Sequence, residues 1–363
     1  MSIYKKLLKP TLSNFIVCPL SADIALALTT TGAQGQTAQE LVTALHLPKQ
    51  PQGLQEAFKI ISHNLHGSDQ YTLNSANKIY IKNKFQINNQ FKKLATDVFN
   101  VDIQNINFEK NIDAANEINR WVEDKTQNKI VNLIHSSLLN NETQLVLINA
   151  IYFHGKWVKQ FDPSASTPST FYLNNNYSTK TKMMTAEDYY EYYESSELNA
   201  KFLKLDYAGN EVSMHIVLPN NIEGLSVLEK RLLDVLVPPK YNKEKVHVMI
   251  PRMKLETQID FKSILQAMGV KSAFENDANF HGIAANEGNL KITEVIQKAF
   301  LVVTEEGTTA AASTGLVYYV PLSAAPQEES LKMFFANRPF LFYLRLNRLG
   351  VNFFVGRHGY PSL

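Results

Sequence analysis

Phe300 to Gly315 reads FLVVTEEGTTAAASTG, and Leu316 to Ser330 continues LVYYVPLSAAPQEES. Phe300 to Thr304 has the apolar, β-branched character of a strand, and structure is expected to resume near Leu331. Between them lie about 26 residues, a length that is rare for a loop inside a compact domain and is usually tied to function. Linkers are normally rich in Pro, Glu or Lys, whereas Thr308, Thr309, Ala310, Ala311, Ala312, Ser313 and Thr314 are all small. Apolar Leu316, Val317, Tyr318, Tyr319, Val320 and Leu322 follow. Small residues in succession suit a segment that must slip between two strands already paired. Period-two alternation puts Thr308, Ala310, Ala312 and Thr314 on one side and Thr309, Ala311 and Ser313 on the other. A bulky or charged residue facing inward would overfill a close-packed interior, at about 1 to 3 kcal/mol per site. A plain mobile loop with a Thr/Ala bias fits the same composition.

Outward from this stretch the chain changes character. Ala22 to Leu28, Thr37 to Leu45, Gln55 to Leu65 and Asn88 to Phe99 space their apolar residues at three and four and predict helices, as do Asp113 to Thr126 and Ile130 to Leu139. Asn77 to Ile81 alternates like a strand. From Gln144 strands dominate: Gln144 to Tyr152 is a buried apolar run, followed by Lys201 to Asp206, Ser213 to Leu218, Val246 to Pro251 and Phe340 to Leu346. Short helices are expected at Gly224 to Leu236 and Asp260 to Met268. Strands in clusters, with no alternation with helices, indicate an α+β fold and exclude a doubly wound nucleotide-binding sheet. No repeat, charged tail or linker divides the 363 residues, so one domain spanning 1–363 is expected.

The 36 basic and 34 acidic residues leave a net charge of +2, which provides no global field for nucleic acid or an anionic membrane. The single cysteine, Cys18, rules out an internal disulfide; between Val17 and Pro19, with no basic neighbour, it reads as a small buried hydrophobe. Met1 to Pro10 carries lysines but no apolar h-region, and no stretch reaches the roughly 18 to 20 apolar residues that a membrane span needs. Asn141-Glu142-Thr143 and Asn176-Tyr177-Ser178 are glycosylation acceptor triplets. Diagnostic catalytic spacings are absent: there is no Gly-x-Ser-x-Gly, Walker loop, His-Glu-x-x-His or Cys-x-x-Cys. His63 and His66 have no neighbouring ligand in sequence to complete a metal site. Neither an enzyme nor a cofactor or metal requirement is expected.

Glu305-Glu306-Gly307-Thr308 followed by Ala310 to Thr314 closely resembles the hinge of inhibitory serpins. Asn14 to Ser21 (NFIVCPLS) looks like the family's early Asn-x-x-x-Ser-Pro-x-Ser motif, and Asn149 to Trp157 (NAIYFHGKW) with Phe161-Asp162 is similar to its best-known internal signature. Pro251 to Lys254 (PRMK), Asn289 to Lys298 (NLKITEVIQK), Asn337 to Phe340 (NRPF) and Phe354 to Arg357 (FVGR) also match, in order. The resemblance implies an α+β fold with a large mixed central sheet, smaller sheets, about eight to nine helices and an exposed reactive-centre loop near 305–330. It also implies a protein consumed as it traps a protease, through cleavage of the loop and its insertion into the central sheet.

Serpins that do not inhibit usually carry bulky, charged or proline residues in the hinge, and Gly307 to Thr314 has none, which favours inhibition over a binding or carrier role. Thr309 departs from the family's usual Glu. In the sheet-opening region, assigned by resemblance to Cys18, Ser21, Asn149, Trp157 and Gln297, Cys18 replaces a usual Ser and Gln297 a usual His, so the hydrogen bonds there must be rewired. The family register of seventeen residues from Glu305 ends at Pro321, a poor residue on the acyl side of a cut. The scissile region is therefore Tyr318, Tyr319, Val320, Pro321, Leu322 and Ser323. It suits a chymotrypsin-like serine protease or a cathepsin L-like cysteine protease, and the absence of Arg and Lys from Glu305 to Ser330 disfavours a trypsin-like one. The lysines from Gln55 to Lys93 are too scattered for a glycosaminoglycan stripe. The expected partner is a protease met by a monomer, without nucleic acid or membrane. The expected setting is extracellular, with the signal absent from this chain and a cytoplasmic location left open.

Overall fold

A computed structural model describes residues 4, 6, 13–48, 50–284, 290–307 and 331–361. Thr308 to Ser330, with the scissile region and most of the hinge, lie outside them. Among the described residues there are eight α-helical segments and two mixed sheets, as an α+β fold requires. The chain forms two compact units, one of Met1–Lys9, Ile16–Phe153 and Glu256–Phe300, the other of Pro10–Phe15, His154–Leu255 and Leu301–Leu363.

The first unit holds the helices Pro19–Thr31, Gly35–Ala44, Pro51–Asn64, Asn89–Leu94, Asn111–Lys125 and Phe261–Ala267. Pro19–Thr31 is buried along nearly its whole length, and Thr29 and Thr30 donate their hydroxyls to the carbonyls of Ala25 and Leu26, so polar side chains in a core helix are satisfied locally. A five-stranded sheet has the order Met253–Asp260, Ile292–Val303, Leu145–Gly155, Tyr71–Lys82, Asp102–Ile106, with the last two parallel. In the middle strand ten of eleven residues are buried, which is why it reads as an apolar run with Asn149 as its polar exception.

Ile130 to Leu139 is not the expected helix. Only the single turn Ser136–Leu138 is helical, because Gln127, Asn128 and Asn132 take left-handed φ values of 53°, 58° and 51°. The segment is an irregular strap whose Ile130, Leu133, Ile134 and Leu139 are buried. Asn119 holds it by exchanging two 2.9 Å hydrogen bonds with the Ile134 backbone. Burying Leu133 and Ile134, three and four positions after Ile130, mimics helical spacing.

The second unit is built on a sheet with the order Val351–His358, Phe340–Leu346, Val212–Pro219, Ala200–Asp206, Ser178–Ser195, Asn242–Pro251, Lys332–Phe335. Its pairings are antiparallel except the last, where Lys332 lies opposite Val246 in parallel register. The eighteen-residue Ser178–Ser195 strand pairs with Thr167–Tyr172 at its start, Asn242–Pro251 along its middle and Ala200–Asp206 at its end. Arg357 is buried, pairs with Glu229 at 2.9 Å, donates to the Ser13 carbonyl at 2.8 Å and lies over the Phe15 ring. A buried guanidinium so fully engaged locks a strand to its surroundings.

Candidate functional site

In the second unit the chain does not run straight on past Val303. Thr304 N–H donates to the Gly307 carbonyl at 2.6 Å and Gly307 N–H to the Thr304 carbonyl at 3.1 Å, which folds Glu305 and Glu306 into a tight turn. The turn is tied to the segment after the Leu145–Gly155 strand: Trp157 N–H donates to Glu306 O and Phe161 N–H to Glu305 O, both at 2.8 Å. The Trp157 indole donates to Thr304 O at 3.0 Å and stacks on Tyr207 with centroids 4.2 Å apart. Arg252 closes the arrangement from another side, with Nε 2.8 Å and Nη2 2.6 Å from the nearly buried Glu305 carboxylate. Burial pushes the Glu305 carboxyl up, but hydrogen bonds, led by that from the Arg252 guanidinium and joined by Ser166 and a backbone N–H, together outweigh it and hold it below the usual carboxylate range. Four backbone bonds, one indole bond and an ion pair thus hold the start of the hinge as a latch.

Gly307 is required there. Its φ is +130°, and a Cβ would strike the Gly155 carbonyl and come within 2.6 Å of Lys156 Cα. Gly307→Ala is expected to cost about 2 to 3 kcal/mol through backbone strain. Calorimetry should register this as a melting temperature lower by about 5 °C; an unchanged value would mean that the turn does not need glycine.

In the first unit a chain of buried amides joins three elements. Asn149 Nδ2 donates to Ser21 Oγ at 2.5 Å and to Asn77 Oδ1 at 2.6 Å, while its Oδ1 accepts from Gln297 Nε2 at 2.5 Å. Gln297 also grips the Cys18 backbone at both ends, accepting from its N–H at 3.0 Å and donating to its carbonyl at 2.8 Å. A primary amide can accept and donate at once with its two ends; this is the rewiring that the replacement of the usual residues demands. The Cys18 thiol is buried and its pKa is strongly raised by desolvation, as expected for an inert cysteine. Asn149→Leu leaves the Asn77 oxygen and a Gln297 N–H without their partner, at about 1 to 3 kcal/mol each. A fall in melting temperature of roughly 8 °C is expected, against about 2 °C or less if the amides are idle.

The structure thus brings together Cys18, Ser21, Asn149 and Gln297, and it adds Asn77 and Ser75, which hydrogen-bonds Ser21 at 2.8 Å. Trp157 is not among them: it belongs to the latch with Glu305, Glu306 and Gly307. Asn77 was visible as the polar head of Asn77 to Ile81, but nothing in that stretch marked it as a partner of Asn149. The Arg252–Glu305 pair spans 53 residues and carries no local signal. Asn141 and Asn176 are both exposed in loops. Among the described residues no cluster of three metal-ligating side chains occurs, and no helix is long and apolar enough to cross a membrane.

Residues 1–361 match the family model described as Serpin (serine protease inhibitor). Antichymotrypsin-2 of Bombyx mori is 35% identical over 95% of this chain and 90% of its own length, and neuroserpin of Homo sapiens is 31% identical over 96% and 86%. Among solved structures, Serpin48, described as a highly specific serpin of the insect Tenebrio molitor, superposes with a TM-score of 0.90 at 39% identity, covering 99% of this chain and 95% of that one. Cleaved Serpin 42Da superposes at 0.87 with 29% identity, covering 100% and 96%.

Proposed function

The chain belongs to the serpin family, and on that premise we propose that it is a suicide inhibitor of a chymotrypsin-like serine protease or a cathepsin L-like cysteine protease. The observation that carries this reading is the hinge sequence, in which no residue from Gly307 to Thr314 is bulky, charged or proline. The protease nucleophile adds to a carbonyl within Tyr318 to Ser323, the peptide C–N bond breaks, and the new amino terminus leaves with the proton. An acyl-enzyme remains on the upstream half of the loop. That half then enters between Ile292–Val303 and Leu145–Gly155, which are neighbours in the uninserted sheet order.

Magnitudes set the direction. Entry requires release of the latch, whose four backbone bonds and one indole bond are worth about 0.5 to 1.5 kcal/mol each. The half-exposed Arg252 adds less than about 1 kcal/mol through its ion pair. Ten or more new strand bonds return on the order of 10 kcal/mol before side-chain burial. Release of the latch is therefore a barrier that cleavage makes worth crossing, and the inserted state is the stable one. Both compact units act as one functional domain in this scheme. Secretion, with Asn141 and Asn176 as glycan acceptors, belongs to the same proposal.

The test is to mix the protein with chymotrypsin, elastase, trypsin and a cathepsin L-like protease, run denaturing gels and take the mass of the released carboxy-terminal fragment. A covalent band with chymotrypsin or the cathepsin, and a fragment beginning after one of Tyr318 to Leu322, is expected. Cleavage by every enzyme without a covalent band would instead make this a binding or carrier serpin.

A further inference from the structure

Just beside the latch, within the second unit, lies a cavity of about 440 Å³ whose lining includes four cations, Lys180, Lys182, Arg252 and Lys254, and no carboxylate. The Ser178–Ser195 strand supplies Lys180 and Lys182, two apart and so on one face. Arg252 N–H donates to the Lys182 carbonyl at 3.1 Å, which brings the second pair, Arg252 and Lys254, against the first. Juxtaposed like charges on adjoining strands are destabilising, and a protein with a net charge of only +2 has no need to gather them. Four cations around a concave volume of this size form a receptor for a compact, multiply charged oxyanion; an extended polymer would fit a flat stripe.

We infer that this cavity is an effector site for a compact phosphate- or sulfate-ester anion, which competes with Glu305 for Arg252 and so loosens the latch. Arg252 is the shared group: its guanidinium faces the Glu305 carboxylate, and it also lines the cavity. A guanidinium has five donors in a planar fork, and the three terminal oxygens of a phosphate or sulfate ester offer it more acceptors than the two of one carboxylate. Glu305 released from Arg252 loses the foremost of the groups that hold its carboxyl down, and its backbone carbonyl is freer to leave Phe161. Faster trapping as a consequence rests on the inhibitory reading; the binding site and the competition do not.

The experiment is titration calorimetry with tripolyphosphate and with sucrose octasulfate, two arms that separate phosphate from sulfate esters, on the intact protein and on Lys180→Ser/Lys254→Ser. Lys92→Ser/Lys93→Ser, on the Asn89–Leu94 helix of the first unit, controls for loss of net charge. Saturable binding of at least one probe is expected, about tenfold weaker in the cavity variant and unchanged in the control. At saturation, hydrogen exchange at the Trp157 and Phe161 amides should quicken. Absence of saturable binding, equal affinity in the cavity variant, or unchanged exchange at both amides overturns the proposal. None of these readings involves a protease, so a protein that binds the anion but traps nothing refutes inhibition alone.

Discussion

Arginine in place of Thr308 is expected to turn the inhibitor into a substrate, with loop cleavage retained and the covalent complex lost. Thr308 follows directly on the latch glycine, so it must be among the first residues to enter the sheet. Alternation from there places it on the same side as Ala310, Ala312 and Thr314. If that side faces the core, an unpaired charge enters a close-packed interior, at several kcal/mol. Trapping is a race between insertion and deacylation, and each 1.4 kcal/mol added to the insertion barrier slows it tenfold. A penalty of about 3 kcal/mol is therefore enough to divert more than nine in ten encounters to hydrolysis, while attack on Tyr318 to Ser323 proceeds as before. Thr309→Arg, on the opposite side, should be far milder. The measurement is the ratio of covalent band to cleaved inhibitor at fixed protease; equal ratios for parent, Thr308→Arg and Thr309→Arg would remove the inserting strand from the mechanism.

His358→Phe is expected to leave the protein at least as stable at neutral pH and more resistant to acid. The imidazole is fully buried between Phe171 and Phe340, with ring centroids 5.5 and 5.2 Å away, and neither nitrogen has a hydrogen-bond partner among the described residues. Burial pushes its pKa down to about 3, so the folded state carries it neutral. The unfolded chain protonates it near 6.5. Between these values the unfolded state binds the extra proton, so this histidine's contribution is intact above pH 6.5 and is lost as pH falls toward 3. From pH 7 to pH 5 the loss is about 2 kcal/mol. His215, held between Ser213 and Tyr241 and also pushed down to about 3, adds a second loss of the same sign. The half-buried Asp23 carboxyl, raised by desolvation to about 7, opposes them in the same window. The difference between variant and parent isolates His358: the gap in melting temperature should widen by about 5 °C between pH 7 and pH 5. A gap that stays constant with pH means that His358 is already protonated, or exposed, in the folded state.

Much of the architecture could be read from periodicity, because the core strands and helices are held by burial that writes itself into sequence. Leu145–Gly155 is apolar apart from Asn149 and His154 since both its faces are covered, and Phe340–Leu346 came out with its ends correct. The Ser178–Ser195 strand escaped because only five of the eighteen residues of STKTKMMTAEDYYEYYES are buried, so its membership in the sheet rests on three partners and not on an apolar face. Ile130 to Leu139 misled for the converse reason, since apolar anchors in a strap satisfied helical spacing. At the site, Asn149, Ser21 and Gln297 were named through motifs, but the way Gln297 uses both ends of its amide on Cys18 needed the two backbones side by side. Trp157 was grouped with them by motif, and its true partners, Thr304 and Tyr207, are 147 and 50 positions away. Contacts of that range leave no periodic trace.

The clasp that Gln297 puts around the Cys18 backbone makes the only thiol in the chain an internal gauge of its own enclosure. A sulfur with no exposed surface and a strongly raised pKa reacts with iodoacetamide only during excursions that part the amides, so the alkylation rate equals the intrinsic thiol rate multiplied by the open fraction. Without added dye or second cysteine, one mass measurement over time reports how often this part of the sheet breathes. The same reading, taken before and after the loop is cut, gives the free-energy difference between the two forms at a single side chain.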